Sequence, residues 1–382
     1  MRDFRENMKI LLCTATGQNL VNVLPLEAEQ INPDMIYVIV TQGMTQQGDS
    51  LITELKSIGK KVERLNIENE DSLQALTLQY EDWLLKHQND EIMVNLTGGN
   101  KLMSIAAYQL FSSYGFRCFY QNRAPNQIVW LDDESVISNI GEKIGLERYL
   151  KSYQFDIAKK LKIADVTTAY KDYANILFYE LCKAGRYAEI CKLISKINAH
   201  TAKPKLQDLK HFSLGYDDEA FLQHLSHETG LFKLKGQTLT WESEQDRAFL
   251  AGGWLEVLTA DLLKGGDFRD VSLSVEISKS TQRIKAKTNQ EIDVMAMQQQ
   301  KLVMIECKTV NWKSEKNPTS KASDAIYKLS ALSDIGGLNT KPIFISLYDL
   351  PDAAKTRAAE HGIHIVAGQN AISNLKQKLM SF

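Results

Sequence analysis

The sequence is poor in the features that mark exported, fibrous or membrane-spanning chains. Its five cysteines (Cys13, Cys118, Cys182, Cys191, Cys307) are odd in number and show no Cys-x-x-Cys spacing. A disulfide scaffold and a zinc cluster are both disfavoured, and reduced thiols in a cytoplasmic protein are expected. No apolar run nears the roughly 18 residues of a membrane span, and Ile10–Cys13 is too short for the apolar region of a signal peptide, so no membrane partner is expected. The hydrophobic share of 44% and charged share of 24% exclude collagen-like and low-complexity chains. At roughly 150 residues per domain, 382 residues imply two or three domains.

Excess charge of one sign is also missing, since 45 Lys+Arg against 47 Asp+Glu leave a net charge of −2. The average hides a division. Residues 1–150 carry −7, residues 151–244 carry +2 and residues 245–382 carry +3. A basic coat for nucleic acid is excluded, whereas local basic sites are not.

From Lys9 to Leu131 short apolar runs alternate with amphipathic stretches. The pattern predicts strands near Lys9–Cys13, Met35–Val40, Lys61–Ile67, Glu91–Asn95, Phe116–Tyr120 and Gln127–Leu131. Helices are expected over Leu20–Ile31, Ser50–Ile58, Asp71–Lys86 and Leu102–Tyr114. Such a βαβ series is a Rossmann-like parallel sheet with ligand loops at its carboxyl ends. The alternation stops after Gly145, and Glu147–Ala199 reads as almost wholly helical. Two short strands within Gly230–Trp241, turning at Lys235-Gly236, then suggest a winged-helix-like connector or a spacer that dimerises. A last α/β unit follows, with a helix over Ala248–Leu263, strands over Val271–Ser278, Glu291–Gln298 and Lys301–Lys308, a helix over Ala322–Asp334 and a strand over Pro342–Leu347. The expected domains are 1–145, 146–242 and 243–382.

The last unit carries the clearest chemistry. Asn289-Gln-Glu-Ile-Asp-Val-Met-Ala296 and Lys301-Leu-Val-Met-Ile-Glu-Cys-Lys308 read as adjacent antiparallel strands. Alternate residues of a strand share a face, so Glu306 and Lys308 point one way with Cys307 behind them, and Asp293 reaches them from the neighbouring strand. Carboxylates suit hard cations such as Mg²⁺ or Mn²⁺. A lysine beside them can orient an attacking water or offset charge on a phosphorane. Upstream, Glu256 is an acid among apolar neighbours of a helix, and Arg283, Lys285 and Lys287 could hold a phosphate backbone.

This constellation resembles the PD-(D/E)xK restriction-endonuclease-like superfamily. Carried over, Asp293, Glu306 and Lys308 match its core motif and Glu256 its helical acid, with Glu291 a further metal ligand. Ile292 stands at the proline position.

In the first unit, Asn95-Leu-Thr-Gly-Gly-Asn-Lys-Leu-Met103 follows a strand and opens a helix, and Thr14-Ala-Thr-Gly-Gln-Asn19 holds the same place after the first strand. Such loops offer backbone N–H groups and a positive helix end to an anion. Gly43–Ser50 has P-loop spacing, but Asp49 replaces the lysine and would repel a triphosphate; Asp49-Ser50 reads instead as a helix N-cap. The Asn-x-Thr-Gly-Gly-x-Lys-x-Met pattern resembles the ligand loop of the CRISPR-associated Rossmann fold (CARF). Joined to a C-terminal PD-(D/E)xK unit, it resembles the single-chain CARF nucleases of type III CRISPR defence. The resemblance implies a homodimer that binds a cyclic oligoadenylate such as cyclic tetra-adenylate, through Gln18, Asn19, Thr97, Gly98, Gly99, Asn100, Lys101 and Met103. It also implies Mn²⁺- or Mg²⁺-dependent cleavage of DNA or RNA. The alternative is a CARF and winged-helix regulator whose nuclease-like unit only binds nucleic acid.

Overall fold

The computed structural model describes residues 7–122, 127–137, 140, 144–201, 207–208, 215–235, 238–279 and 290–382. The chain divides into two compact units, one built chiefly from residues up to Asp156 and the other chiefly from Ile157 onward.

The first unit holds strands β1 (Lys9–Thr14), β2 (Met35–Thr41), β3 (Val62–Ile67), β4 (Glu91–Asn95), β5 (Arg117–Asn122), β6 (Gln127–Trp130) and β7 (Val136–Ile137) in the order β3-β2-β1-β4-β5-β6-β7. β1 to β5 run parallel, and β6 and β7 add an antiparallel edge. Residues 10–14 of β1 and 92–95 of β4 are buried throughout, as a sheet covered on both faces requires. The strand order reverses between β1 and β4, so the loops after these two strands flank the topological switch point.

Two local expectations for this unit are corrected. The helix after β1 is short, Leu20–Val23, and tightens into a 3₁₀ turn at Leu24–Glu27, because Pro25 cannot extend an α-helix. Asp49 and Ser50 lie inside the helix Thr45–Ser57 rather than at its start. Gly48 brings that helix close to β2, where a Cβ would sit 2.6 Å from a Val40 methyl.

The second unit opens with strand β8 (Phe155–Lys162), a correction to the all-helical reading of Glu147–Ala199. Its edge position and lysine content mask its strand character in the sequence. Helices Thr168–Cys182 and Tyr187–Thr201, β9 (Gln207–Asp208), the helix Tyr216–Thr229, β10 (Phe232–Lys235) and β11 (Thr238–Trp241) follow in turn, and the three strands form a small antiparallel sheet. The remaining strands are β12 (Phe268–Lys279), β13 (Gln290–Gln298), β14 (Lys301–Lys308), β15 (Thr340–Ser346) and β16 (His364–Ala367). They give a mixed sheet in the order β16-β15-β14-β13-β12-β8. One apolar core runs from Leu177, Leu181 and Ile194 of the connector helices to Val294 and Ile305 of the sheet.

The helix expected over Ala248–Leu263 is broken in three. Glu244–Ala248 is α-helical, Phe249–Gly253 is a π-helical turn, and Trp254–Leu263 resumes the α-helix. Gly252 has φ 147°, and a Cβ there would lie 2.8 Å from the Thr309 hydroxyl. Only glycine allows this conformation and this approach together. No helix among the described residues is long and apolar enough to cross a membrane.

Candidate functional site

β13 and β14 pair antiparallel with Val294 opposite Ile305. Asp293, Glu306 and Lys308 therefore meet at one end of the hairpin. The Lys308 ammonium lies 2.5 Å from Glu306 Oε1 and 3.5 Å from Asp293 Oδ2. The Cys307 backbone N–H donates to Asp293 Oδ2 at 2.7 Å, and the Cys307 thiol lies 3.6 Å from the Thr259 hydroxyl. Glu306 is 1% exposed, and its Oε2 has no hydrogen-bond partner. A buried carboxylate oxygen left bare costs stability unless a cation supplies the missing partner.

Glu256, on the helix Trp254–Leu263, joins this group through its charge. Burial first, then the charge of Asp293, pushes its carboxyl well above the ordinary range, against the pull of Lys308. Burial and Glu306 raise Asp293 in the same way, against Lys308 and the Cys307 N–H. For Lys308 burial works against the charge, but Asp293 and Glu306 outweigh it and hold the ammonium protonated. Glu291 stands exposed at the start of β13 and adds negative charge near Glu256. Arg283, Lys285 and Lys287 lie outside the described residues.

Sequence reasoning missed two further elements. Lys328, on the helix Pro318–Ser333, reaches Glu306 Oε1 at 3.4 Å, and one lysine on an amphipathic helix carries no distinguishing signal. Thr309, directly after Lys308, is braced from two sides. Asn198 donates to its hydroxyl at 2.9 Å and to its carbonyl at 3.3 Å, and Gly252 packs on the same hydroxyl.

No three His, Cys, Asp or Glu side chains stand together as a ready metal cage among the described residues. Asp293 and Glu306, gathered around an ammonium, still suit a hard divalent ion, because Mg²⁺ typically takes one or two protein carboxylates and fills its shell with water and phosphate. The unsatisfied Oε2 of Glu306 is the donor that such an ion would use.

The crowding has a measurable consequence. A carboxyl whose pKa is raised on folding binds its proton more tightly in the native state, so stability falls as pH rises from the ordinary carboxylate range through the raised value. Replacing Glu256 by Gln removes this loss. Metal-free Glu256→Gln is expected to melt above the parent at pH 8, by about 2–4 °C for each kcal/mol recovered, and the gap should close near pH 4. Calorimetric scans at both pH values check it, and a lower melting temperature at pH 8 contradicts it.

The second place lies in the first unit, at the switch point. Asn95 donates to Val21 O at 2.9 Å and to Asn22 Oδ1 at 3.1 Å, and accepts from the Thr97 N–H. The Thr97 hydroxyl accepts from the Gln121 N–H at 2.8 Å. Asn100 caps the helix Lys101–Ser113 by accepting from the Met103 N–H at 2.9 Å. Gly98 packs on β1, and its Cβ position lies 2.5 Å from the Thr14 carbonyl oxygen. Gly99 has φ 80° and lies at the surface with Asn100 and Lys101.

The eight expected ring-site residues thus divide. Gly99, Asn100 and Lys101 face solvent, Gln18 and Thr97 are half-buried, and Gly98 is buried against β1. Asn19 is 1% exposed, accepts from the Thr16 N–H and donates to Gln47 O, and Met103 is 2% exposed in the core. These last two shape the loops from beneath.

Residues 10–149 match the family model of the Card1 CARF domain, and residues 243–382 match that of the Card1-like endonuclease domain. No curated protein matches the sequence. Among solved structures, protein VC1899 from Vibrio cholerae is similar with 21% identity and a TM-score of 0.84, over 98% of this chain and 97% of that one. Can2 from Sulfobacillus thermosulfidooxidans, solved in complex with cyclic tetra-adenylate, is similar with 20% identity and a TM-score of 0.79, over 98% of both chains. A type III CRISPR defence DNA nuclease activated by cyclic oligoadenylate has 14% identity and a TM-score of 0.53, over 90% of this chain and 47% of that one. At these identities the likeness is one of fold.

Proposed function

The chain belongs to the CARF-domain nucleases with a Card1-like endonuclease domain, and from that premise we propose that it is a cyclic oligoadenylate-activated, Mn²⁺- or Mg²⁺-dependent nuclease of type III CRISPR defence. The observation that carries this reading is the Asp293, Glu306 and Lys308 cluster, whose buried Glu306 lacks a partner on one oxygen. Asp293 and Glu306 would hold the metal, with Glu256 and Glu291 adding negative charge beside it. A divalent ion held there would supply Lewis-acid polarisation of a phosphodiester and a bound water of lowered pKa. Lys308, kept protonated by its two carboxylate neighbours, would orient an attacking water and offset the charge that develops on the phosphate. Lys328 adds a second cation at Glu306.

In the first unit, Gly99, Asn100 and Lys101 present backbone N–H groups, the start of a 13-residue helix and one ammonium to an anion. Cyclic tetra-adenylate, the ligand in the Can2 structure, fits such a site when two copies face each other. The helix Lys101–Ser113 supports a homodimer, because Leu102, Ile105 and Tyr108 are 38%, 46% and 40% exposed on it and adjoin at helical spacing.

The test is a cleavage panel of single- and double-stranded DNA and RNA, with and without cyclic tetra-adenylate and Mn²⁺. Cleavage that requires both additions is expected. Salt-sensitive retention of nucleic acid without cleavage under any condition points to the regulator reading.

A further inference from the structure

A cavity of about 510 Å³ opens at the start of the helix that carries Lys328. It is lined by Asn317, Thr319 and Ser320 at the start of that helix, by Ser323 and Tyr327 one and two turns later, and by Arg357. The helix has 16 residues, and Asn317 makes no side-chain cap. The N–H groups of Thr319 and Ser320 therefore have no intrahelical acceptor and point toward whatever fills the entrance.

Two observations besides the helix start point to an anionic ligand. Ser323 is only 3% exposed, yet its hydroxyl has no hydrogen-bond partner, so a buried donor is reserved for something absent from the chain. The Arg357 guanidinium lies 4.7 Å over the Tyr327 ring and pairs with no carboxylate among the described residues. Stacking holds its planar fork in place, which favours bidentate phosphate recognition. Asp324 is the one acid in the lining. It is exposed, so water and salt screen its charge.

The position supplies the identity. Asp324 and Lys328 share a helix face four residues apart, and Ser323 to Lys328 spans about 7.5 Å of helix rise. The cavity is thus a short step along the helix from the lysine on Glu306. We propose that it seats a backbone phosphate of the nucleic-acid strand adjacent to the one being cleaved, with Arg357 as the charged contact and Ser323 and the helix start as neutral donors. This inference rests on the nuclease reading and adds the path of its substrate.

Neutralising one phosphate contact on a single strand contributes about 0.7 to the slope of log affinity against log salt. The experiment measures KM for a single-stranded oligonucleotide substrate from 50 to 300 mM salt, for the activated, Mn²⁺-loaded parent and three variants. Arg357→Gln should raise KM at least fivefold and flatten the slope by about 0.7. Ser323→Ala should raise KM without altering the slope, since it removes a neutral donor. Lys355→Gln, on the same helix as Arg357 but paired with Asp349 and Asp352, should leave the slope unchanged. An unchanged slope for Arg357→Gln, or an equal flattening by Lys355→Gln, overturns the assignment. A free-phosphate or mononucleotide pocket is distinguished by competition: a roughly 10- to 50-fold excess of 5′-mononucleotide over oligonucleotide should not raise the parent's KM to the variant value, and if it does, the cavity serves a small ligand instead. Failure of the parent to cleave anything refutes the nuclease reading, whereas a cleaving parent with an insensitive Arg357→Gln refutes only this inference.

Discussion

Lys308→Ala is expected to lower the cleavage rate by about a hundredfold to a thousandfold while the protein stays folded. The ammonium bridges Glu306 and Asp293 at 2.5 and 3.5 Å, and its loss removes the positive charge proposed to face the reacting phosphate. Breaking a buried ion pair costs roughly 3–5 kcal/mol when a charge is left alone. Here Lys328 remains 3.4 Å from Glu306, so the loss should be smaller than that. Glu306→Gln tests the same cluster from the other side with almost no change of shape. Both variants are to be purified, melted and assayed with Mn²⁺. Normal turnover in either one removes the residue from the chemistry, and inactivity accompanied by loss of the folding transition says nothing for catalysis and requires the Glu306→Gln result to decide.

Gly98→Ala is expected to abolish the response to cyclic oligoadenylate. The added Cβ would lie 2.5 Å from the Thr14 carbonyl oxygen, and a backbone atom cannot rotate away as a side chain can. Overpacking of this kind costs typically 1–3 kcal/mol, and it drives apart the two loops that flank the switch point. Thr14 O already accepts from the Asn22 amide at 2.8 Å, so the displacement reaches Asn95 through the Asn95 to Asn22 hydrogen bond. Titration calorimetry should show at least a tenfold weaker ring affinity than the parent, with the melting profile of the second unit unchanged. Parental affinity would show that the loop tolerates the displacement and that Gly98 has no role in holding the site.

Most strands of both sheets were legible because alternation and apolar runs report burial directly. β4 matches its expected bounds at Glu91–Asn95 and β14 at Lys301–Lys308. The meeting of Asp293, Glu306 and Lys308 was legible for the same reason, since strand pairing and a period of two place alternate residues on one face. What stayed hidden depends on neighbours far along the chain. β8 forms only by adding to the edge of a sheet whose other strands come more than 100 residues later. The break at Phe249–Gly253 follows from the approach of Thr309, which local helical propensity does not encode. Likewise Asn19 reads as a ligand residue in the sequence, and only the fold reveals that its amide is occupied by Thr16 and Gln47.

The shared core of the second unit bears on how such proteins can be rearranged by gene fusion. The endonuclease match begins at residue 243, yet the contacts across that point belong to one folded body. Tyr170 stacks on Phe249 at 4.2 Å, Tyr348 donates to Cys191 O at 2.6 Å, and Asn198 holds Thr309 beside Lys308. A recombination joint at 243 would sever the endonuclease segment from the helices that complete its interior and brace the end of β14. The heritable unit that can move between chains intact is therefore larger than the endonuclease segment, and it includes the connector helices from Thr168 onward.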